Sequence, residues 1–393
     1  MTVRANTTLS KLEQAAVLEL RHEMHRDPEI SNAEYRTQAR ILEMLERFGL
    51  SGARKFHNTG VYIDIDGSAA GAKRTLAVRG DIDALPIQEE REDLPFKSQN
   101  PGVMHACGHD VHASVAMGTA LALHRMRENF SGKVRVFFHP AAEAGPVGGR
   151  TAANQRLLEG FERAVGFHVN PEMQAGTVMA EAGAITTSTD QFRLRLVGEL
   201  AHGAMPYKGV DTITMAAAFI NEVQKVVTRE MPVDDGSVVS IGTIHGGEAT
   251  NIVCPETVLE GTIRTRSTER RDLLCRRVQQ LAEGLASLHR GRAEFTISPG
   301  EPPVRNDAEM VARFRRVAED SEGLEFHEHH KPAEGSDDFG YYSAEIPSIY
   351  FWIGSREEGN VTGLHTSTFG VSDEVVLPAA DLSVRYCLDL LTA

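Results

Sequence analysis

Apolar and polar positions in the first part of the chain recur with the periods of helices and strands. Residues 32–48 carry apolar side chains at helical spacing, which predicts an amphipathic helix that ends at Gly49. A second stretch, Val111–Met126, is rich in Ala, Leu and Met and predicts a helix that covers a sheet. Three apolar runs predict the strands of that sheet, a mixed or parallel one buried on both faces: Val61–Ile65, Thr75–Val78 and Val134–Phe138.

The pattern changes near Ser188. The predicted order is then strand, helix, strand, strand, helix, strand, at Phe192–Val197, Asp211–Thr228, Val238–Ile244, Val258–Arg264, Glu269–Leu288 and Ala293–Ile297. This is the order of a ferredoxin-like unit. The remainder predicts a strand at Ser348–Ile353 and a final apolar helix, which would complete the first domain.

These patterns predict an α/β fold in two domains. We expect a catalytic domain with a mixed, largely parallel sheet flanked by helices, interrupted by a smaller ferredoxin-like α+β satellite domain. The expected boundaries are 1–186 and 300–393 for the catalytic domain and 187–299 for the satellite domain. A length of 393 residues exceeds the usual size of one hydrophobic core, which agrees with two domains.

Composition excludes several classes of protein. Hydrophobic residues make up 41% and charged residues 24% of the chain, as in soluble globular proteins. The net charge of −14 disfavours nucleic acid and anionic membranes as partners. No apolar run approaches the roughly 20 residues of a membrane span, and the N-terminal residues lack an apolar signal core. We therefore expect a cytoplasmic protein, in which its four cysteines form no structural disulfides.

The strongest chemical signal is the segment Met104–His112, MHACGHDVH. A thiolate and several imidazoles within nine residues are ligands for zinc-like or manganese-like ions. Gly108 would let the chain turn so that Cys107 and His109 point to one place, and Asp110 could hold a ring N–H. The alternative is a histidine-rich loop at the start of a helix, which local spacing alone does not exclude.

Other candidate ligands follow predicted strands. Asp81 and Asp83 end one apolar run, and Glu143 follows another. The aspartate pair could equally be a solvated acidic loop. His168 and His365 stand alone in the sequence, and each by itself would be interpreted as a structural histidine.

Taken together, these segments resemble the metal-dependent amidohydrolases of peptidase family M20, the aminoacylase and carboxypeptidase family. The nearest likeness is to the branch of hippurate hydrolases, N-acyl-amino-acid amidohydrolases and auxin-conjugate hydrolases. Ten segments carry the resemblance in order, from HRDPEIS at His25–Ser31 through RGDIDALP, MHACGHDVH, FHPAAE, GFHV, AHGAMP, GTIHGGEATNIVCP, GTIRT and GSDDF to LHTSTF.

The resemblance implies a centre of two divalent ions, Mn²⁺ or Zn²⁺, with Ni²⁺ and Co²⁺ as alternatives. Its implied ligands are Cys107, His109, Glu143, His168 and His365, with Cys107 in the bridging place. A cysteine suits that place because two cations keep a thiolate deprotonated. Asp83 would support the ligand histidines without binding an ion itself.

The resemblance also implies substrate contacts in the satellite domain. His202 would reach the scissile carbonyl, and Asn251 and Arg264 would hold the substrate's carboxylate. Without the resemblance, each has an ordinary structural interpretation: a turn residue, a turn cap and a partner of a nearby acid. Relatives often dimerise through this domain, so we expect a homodimer.

One position departs from the family pattern. The family's F-Q-P-A-E-E reads Phe138–Glu143, FHPAAE, here, so Ala142 occupies the place of the general-base glutamate and Glu143 remains the ligand. Alanine cannot take a proton from water or pass it to the departing amine, and losing such a group costs on the order of 10²–10⁴ in rate.

Three explanations for Ala142 stay open. The first, which we favour, is an engineered Glu→Ala change in an otherwise intact enzyme. The second is a natural homologue that binds metal or ligand without catalysis. The third is a base relocated to His139, whose plain interpretation is a hydrogen bond at the strand end.

The expected activity is hydrolysis of the amide of an N-acyl amino acid, a small-molecule substrate, to a carboxylic acid and an amino acid. Deamination or decarbamoylation on the same scaffold is the alternative chemistry.

Overall fold

A computed structural model of the chain describes residues 7–232, 236–328, 335–356, 359 and 362–392. The helices are α1 (Lys11–Arg26), α2 (Tyr35–Arg47), α3 (His109–Arg125), α4 (Gly148–Asn154), α5 (Thr212–Lys225), α6 (Thr268–Leu288), α7 (Ala308–Glu319), α8 (Gly340–Glu345) and α9 (Asp373–Thr392). The strands are β1 (Arg54–Phe56), β2 (Gly60–Ser68), β3 (Arg74–Asp81), β4 (Ser131–His139), β5 (Arg163–Gln174), β6 (Thr177–Met179), β7 (Gly183–Ala184), β8 (Asp190–Val197), β9 (Ala201–His202), β10 (Val238–Gly246), β11 (Ile252–Val253), β12 (Glu256–Arg264), β13 (Arg292–Pro299), β14 (Arg305–Asn306), β15 (Glu325–His327) and β16 (Ser348–Arg356).

The chain divides into two compact units. The first contains the described residues of 1–183, 305–331 and 341–393, and the second contains those of 184–304 and 332–340. Within the described part of the chain, no helix has both the length and the apolar character needed to cross a membrane.

An eight-stranded sheet forms the centre of the first unit, in the order β1-β2-β4-β3-β5-β16-β6-β15. Its middle strands β4, β3, β5 and β16 run parallel to their neighbours in that series, and β1, β2 and β6 add antiparallel pairs. Helices α3 and α9 pack on this sheet, and α1 packs against both of them. The predicted mixed, largely parallel sheet flanked by helices is confirmed.

Helix α3 is a core helix that carries the site at its N-terminal end. Every residue from His109 to Leu123 is buried, as expected of a helix with small and apolar side chains around its whole circumference. The helix lies so close against β3 that a Cβ at Gly80 would come within 2.5 Å of His112 O. The helix brings two histidines to the end of a central strand.

The second unit contains a four-stranded antiparallel sheet in the order β10-β12-β8-β13. Helices α5 and α6 cover one face, with Phe192, Phe219 and Leu259 in its core. The strands and helices follow the predicted β-α-β-β-α-β order. The first helix is shorter than predicted, because α5 ends at Lys225 and the chain continues as a π-helical turn over Val226–Glu230.

The helix predicted over residues 32–48 begins later than expected. Asn32 has a left-handed backbone with φ +67°, which is incompatible with a helix, and α2 starts at Tyr35. Gly49, at φ +79°, follows the end of the helix as predicted.

Candidate metal centre

The loop before α3 directs Cys107 into the first unit beside two distant histidines. Gly108 has φ +83°, a left-handed conformation that glycine adopts without strain, and α3 begins immediately after it. Cys107 Sγ lies 3.3 Å from His168 Nε2 and 3.3 Å from His365 Nε2. His168 comes from β5, and His365 from the segment before α9, where its backbone N–H bonds Ala106 O at 2.9 Å.

The ligand-type residues form two sets that share one thiol. Cys107, His109 and His168 place their donor atoms within 4.8 Å of one another, and so do Cys107, Glu143 and His365. Glu143 Oε1 is 3.3 Å from His365 Nε2 and 3.6 Å from His109 Nε2. Atoms bound at about 2.0–2.3 Å to a common ion would lie at separations of this size. The residues therefore fit a pair of divalent ions that share Cys107.

Hydrogen bonds on the outer side of the histidines aim their other nitrogens at this centre. His168 Nδ1 donates to Val169 O at 2.7 Å, which leaves Nε2 facing Cys107. His109 Nδ1 lies 3.0 Å from Asp83 Oδ1, which leaves its Nε2 facing Glu143. A partner on the far nitrogen fixes both the orientation and the tautomer of a ligand histidine.

Asp83 is itself held in place from two directions. Its Oδ2 accepts the Ser31 hydroxyl at 2.6 Å and the Glu143 backbone N–H at 3.0 Å. Burial works to raise the pKa of this carboxyl, but the hydrogen bonds from His109, Ser31 and Glu143 lower the pKa to about 2. Asp83 is therefore an ionised, immobile support for His109.

A cation that binds at this centre would have to displace protons from ligand side chains. Burial raises the pKa of the Cys107 thiol, and the neighbouring Glu143 carboxylate raises it further. The hydrogen bond to Glu143 raises the pKa of His365. Without an ion the Cys107 thiol keeps its proton, and a divalent cation would release that proton on binding.

Ala142 lies in a strained turn next to Glu143. Ala141 has φ +54°, a left-handed conformation that is costly for a residue with a Cβ. Its N–H donates to Glu34 Oε1 at 2.8 Å, and the Glu34 side chain is fully buried. Ala142 is partly exposed, and its methyl group offers no proton acceptor.

His139 has the surroundings of a structural residue. Its side chain is fully buried, with Nδ1 3.0 Å from the Tyr342 hydroxyl and its ring packed edge-on against Phe56. These contacts favour the hydrogen bond at the strand end over the relocated base.

In the second unit, the described contacts bring together two of the three predicted substrate residues. His202 in β9 pairs with Ile252 in β11, and Gly203 N–H bonds Asn251 O at 2.7 Å. Ala204 N–H donates to His202 Nδ1 at 3.0 Å, so the ring proton of neutral His202 is on Nε2. Arg264 ends β12 opposite Val238, and no described contact links it to His202 or Asn251.

The structure adds residues that the sequence patterns did not single out. Ser31 and Glu34 hold the loop around the centre through Asp83 and Ala141. Both lie in a polar stretch before α2, where a buried polar residue has the same local pattern as an exposed one. The available signal was their place in the chain, because Ser31 ends the HRDPEIS segment and Glu34 follows three residues later.

Comparison with known proteins agrees with this geometry. The family profile Peptidase family M20/M25/M40 matches residues 77–389. The uncharacterised hydrolase y4tI of Sinorhizobium fredii is 62% identical over 98% of this chain and 96% of its own length. The N-acetyl-L-cysteine deacetylase of Bacillus subtilis is 32% identical over 95% of this chain and 87% of its own. A crystal structure of the YxeP protein of Bacillus subtilis, described as a dinuclear metal binding peptidase from the M20 family, superimposes with a TM-score of 0.84 at 29% identity, covering 98% and 100% of the two chains.

Proposed function

The chain belongs to peptidase family M20/M25/M40, and from this premise we propose that its scaffold is that of a metal-dependent amidohydrolase for N-acyl amino acids. The observation that carries the proposal is the shared thiol: Cys107 belongs to both ligand sets of the first unit. The Bacillus subtilis relative, named for deacetylation of N-acetyl-L-cysteine, supports a small N-acyl amino acid as the substrate class.

The proposed cofactor is a pair of divalent ions, Mn²⁺ or Zn²⁺. Cys107, His109, Glu143, His168 and His365 would hold it, and the hydrogen-bonded side chains behind them would keep the ligands in place. When bound, such ions polarise an amide carbonyl and make a water molecule more acidic.

The residues of the chain supply orientation and hydrogen bonds. Asp83 fixes His109, and the Nε2–H of His202 is a donor suited to the oxygen of a tetrahedral intermediate. Asn251 and Arg264 are the proposed contacts for the substrate's carboxylate. Both are polar and at least partly exposed, so they are accessible to a ligand.

The chain as given lacks the group that would move the proton. Ala142 stands at the proposed base position, and neither its methyl group nor the buried His139 offers a replacement. We therefore propose that this chain is an inactivated form of the enzyme. The same alanine is the observation that favours a second candidate, a homologue that binds metal and ligand without turnover.

The test is a comparison of the chain as given with Ala142→Glu, each loaded with Mn²⁺ or Zn²⁺. The assay would follow amino-acid release from N-acetyl, N-benzoyl and indoleacetyl amino acids. Restoring the glutamate should raise the rate on the order of 10²–10⁴-fold. Ala142→Gln is the matched control, because its side chain has nearly the same size but cannot accept the proton.

Each other outcome identifies a different error. Equal activity of the given chain and Ala142→Glu would show that another group acts as the base. Bound metal with no turnover in either protein would favour the binding homologue. Release of ammonia or of carbon dioxide from carbamoyl substrates would point to deamination or decarbamoylation.

A further inference from the structure

A third set of ligand-type residues lies beside the candidate centre. Asp81, His109 and His112 are buried and place donor atoms within 4.8 Å of one another. Taken by distance alone, this set would be another metal site. The hydrogen bonds of His112 point to a different role.

Both ring nitrogens of His112 are already used. Val169 N–H donates to His112 Nε2 at 2.9 Å, and because a backbone N–H can only donate, Nε2 carries a lone pair. Nδ1 lies 2.6 Å from Asp81 Oδ1 and therefore carries the ring proton. His112 is thus a neutral imidazole of fixed tautomer, and neither nitrogen is available to an ion.

The His112 ring joins three elements of the first unit. It belongs to α3, its donor bond holds Asp81 at the end of β3, and its acceptor bond holds Val169 in β5. The other oxygen of Asp81 is 2.7 Å from Arg79 Nη1 and 3.6 Å from His109 Nε2. Asp81 is therefore fixed from both sides next to a ligand histidine.

The hydrogen bond from Val169 N–H to His112 Nε2 affects His168 through the backbone. Val169 directly follows His168, whose Nδ1 is oriented by Val169 O. The rings of His112 and His168 are 4.4 Å apart between centroids, which is direct contact. A shift of Val169 would therefore move both the backbone and the outer hydrogen bond of His168.

We propose that His112 is a positioning residue that holds His109 and His168 in place. It therefore supports the binding of only one of the two ions. The inference rests on the proposed metal centre. His109 and His168 share one ligand set with Cys107, and no described contact joins His112 to Glu143 or His365, which complete the other. Loss of His112 should weaken one ion and spare the other.

Two substitutions separate the two bonds. In His112→Asn the amide lies where Nδ1 was, so it keeps a donor for Asp81 but leaves Val169 N–H without its acceptor. In His112→Gln the amide reaches the place of Nε2, so it keeps the acceptor for Val169 but loses the donor to Asp81. Mn²⁺ binding to the metal-free full-length chain would be measured by calorimetric titration.

The unsubstituted chain should bind two ions. Each variant should keep one ion at unchanged affinity and bind the other on the order of 10–100-fold more weakly, the usual effect of removing the outer partner of a ligand. Thr119→Val is the matched control. It removes buried hydrogen bonds to Val115 O and Ser383 from the same helix, and should lower the melting temperature without changing either ion.

The outcomes distinguish failure of this inference from failure of the proposed function. Fewer than two ions on the unsubstituted chain would contradict the binuclear centre itself. Two ions there, with both sites unchanged or both weakened equally in the variants, would overturn the selective role of His112. Ring ¹⁵N NMR of the unsubstituted metal-free chain checks the tautomer without a variant, and a protonated Nε2 on His112 would also overturn it.

Discussion

At the scale of single residues, one backbone angle determines whether the thiol reaches its partners. Gly108 combines φ +83° with a second restriction, since a Cβ there would lie 2.5 Å from Val169 Cγ2. Val169 is the residue that follows the ligand candidate His168. A side chain at position 108 would therefore disturb the loop of Cys107 and the end of β5 together.

Gly108→Ala is expected to weaken both folding and metal binding. The left-handed conformation costs about 1–2 kcal/mol for a residue with a Cβ, and the contact with Val169 adds to it. Gly102→Ala is the control, because Gly102 has φ +75° with open space around its Cβ position. Urea unfolding should show a loss in both variants, whereas Mn²⁺ titration should show weaker binding only in Gly108→Ala. Equal Mn²⁺ affinities would mean that the loop adapts.

The sequence identifies the ligand-type residues where they cluster, but it does not identify the residues that hold them in place. Cys107 and His109 stand out in one short segment, while His168 and His365 became candidates only through the family resemblance. Glu34 is fully buried against Ala141 in a stretch that looks polar and exposed. Such a residue is identified by what folds over it, and local periodicity does not contain that information.

At the scale of elements, a buried set of charges ties α1 to the start of α3. His25 in α1 lies 2.9 Å from Asp110 Oδ2 in α3 and 3.2 Å from Glu89 Oε1. Arg21, one turn earlier in α1, also contacts Asp110. Burial works to lower the pKa of His25, but the two carboxylates prevail and raise the pKa to about 9.

This network predicts a pH-dependent contribution to stability. The folded pKa of His25 lies above the unfolded value of about 6.5, so its contribution is complete below pH 6.5 and is lost as the pH rises through 9. The difference in unfolding free energy between the unsubstituted chain and His25→Gln should shrink by on the order of 3 kcal/mol between pH 6 and pH 10. Urea titrations of metal-free protein would measure it.

Taking the difference between the two proteins cancels the titrations that they share. Lys11→Gln, a substitution of a charged and exposed residue in the same helix, serves as the control and should give a difference that is flat with pH. A difference for His25→Gln that stays constant across the range would show that folding does not raise the pKa of His25.

At the scale of the whole molecule, strand order separates what the sequence predicts from what it does not. The β-α-β-β-α-β order of the second unit follows from local patterns, because neighbouring elements in sequence pair in a known motif. In the first unit, β5 pairs with β16, so that Ala164 lies opposite Ser348. That pairing joins segments on either side of the second unit, and no local signal indicates it.

The expected homodimer has a specific surface to test. Strand β10 is an edge of the second unit's sheet, and Val238 and Ile244 on it are 46% and 48% exposed. Unpaired edges with apolar side chains favour association. Light scattering should give a mass of twice 43.0 kDa for the unsubstituted chain and of one chain for Ile244→Lys. Leu12→Lys, at an exposed apolar residue of α1, should leave the mass unchanged. A monomer mass for the unsubstituted chain would contradict the prediction.

The pairing of β5 with β16 has a consequence for synthesis on the ribosome. The second unit emerges completely before β16 and the segment of His365, because both follow it in the chain. Its strands and helices are contiguous, so it is able to fold while the first sheet still lacks a central strand. Cys107 acquires its last ligand-type partner only after His365 has been synthesised. A nascent chain stalled before residue 348 would therefore contain a folded insert but not all the residues of the proposed ion site.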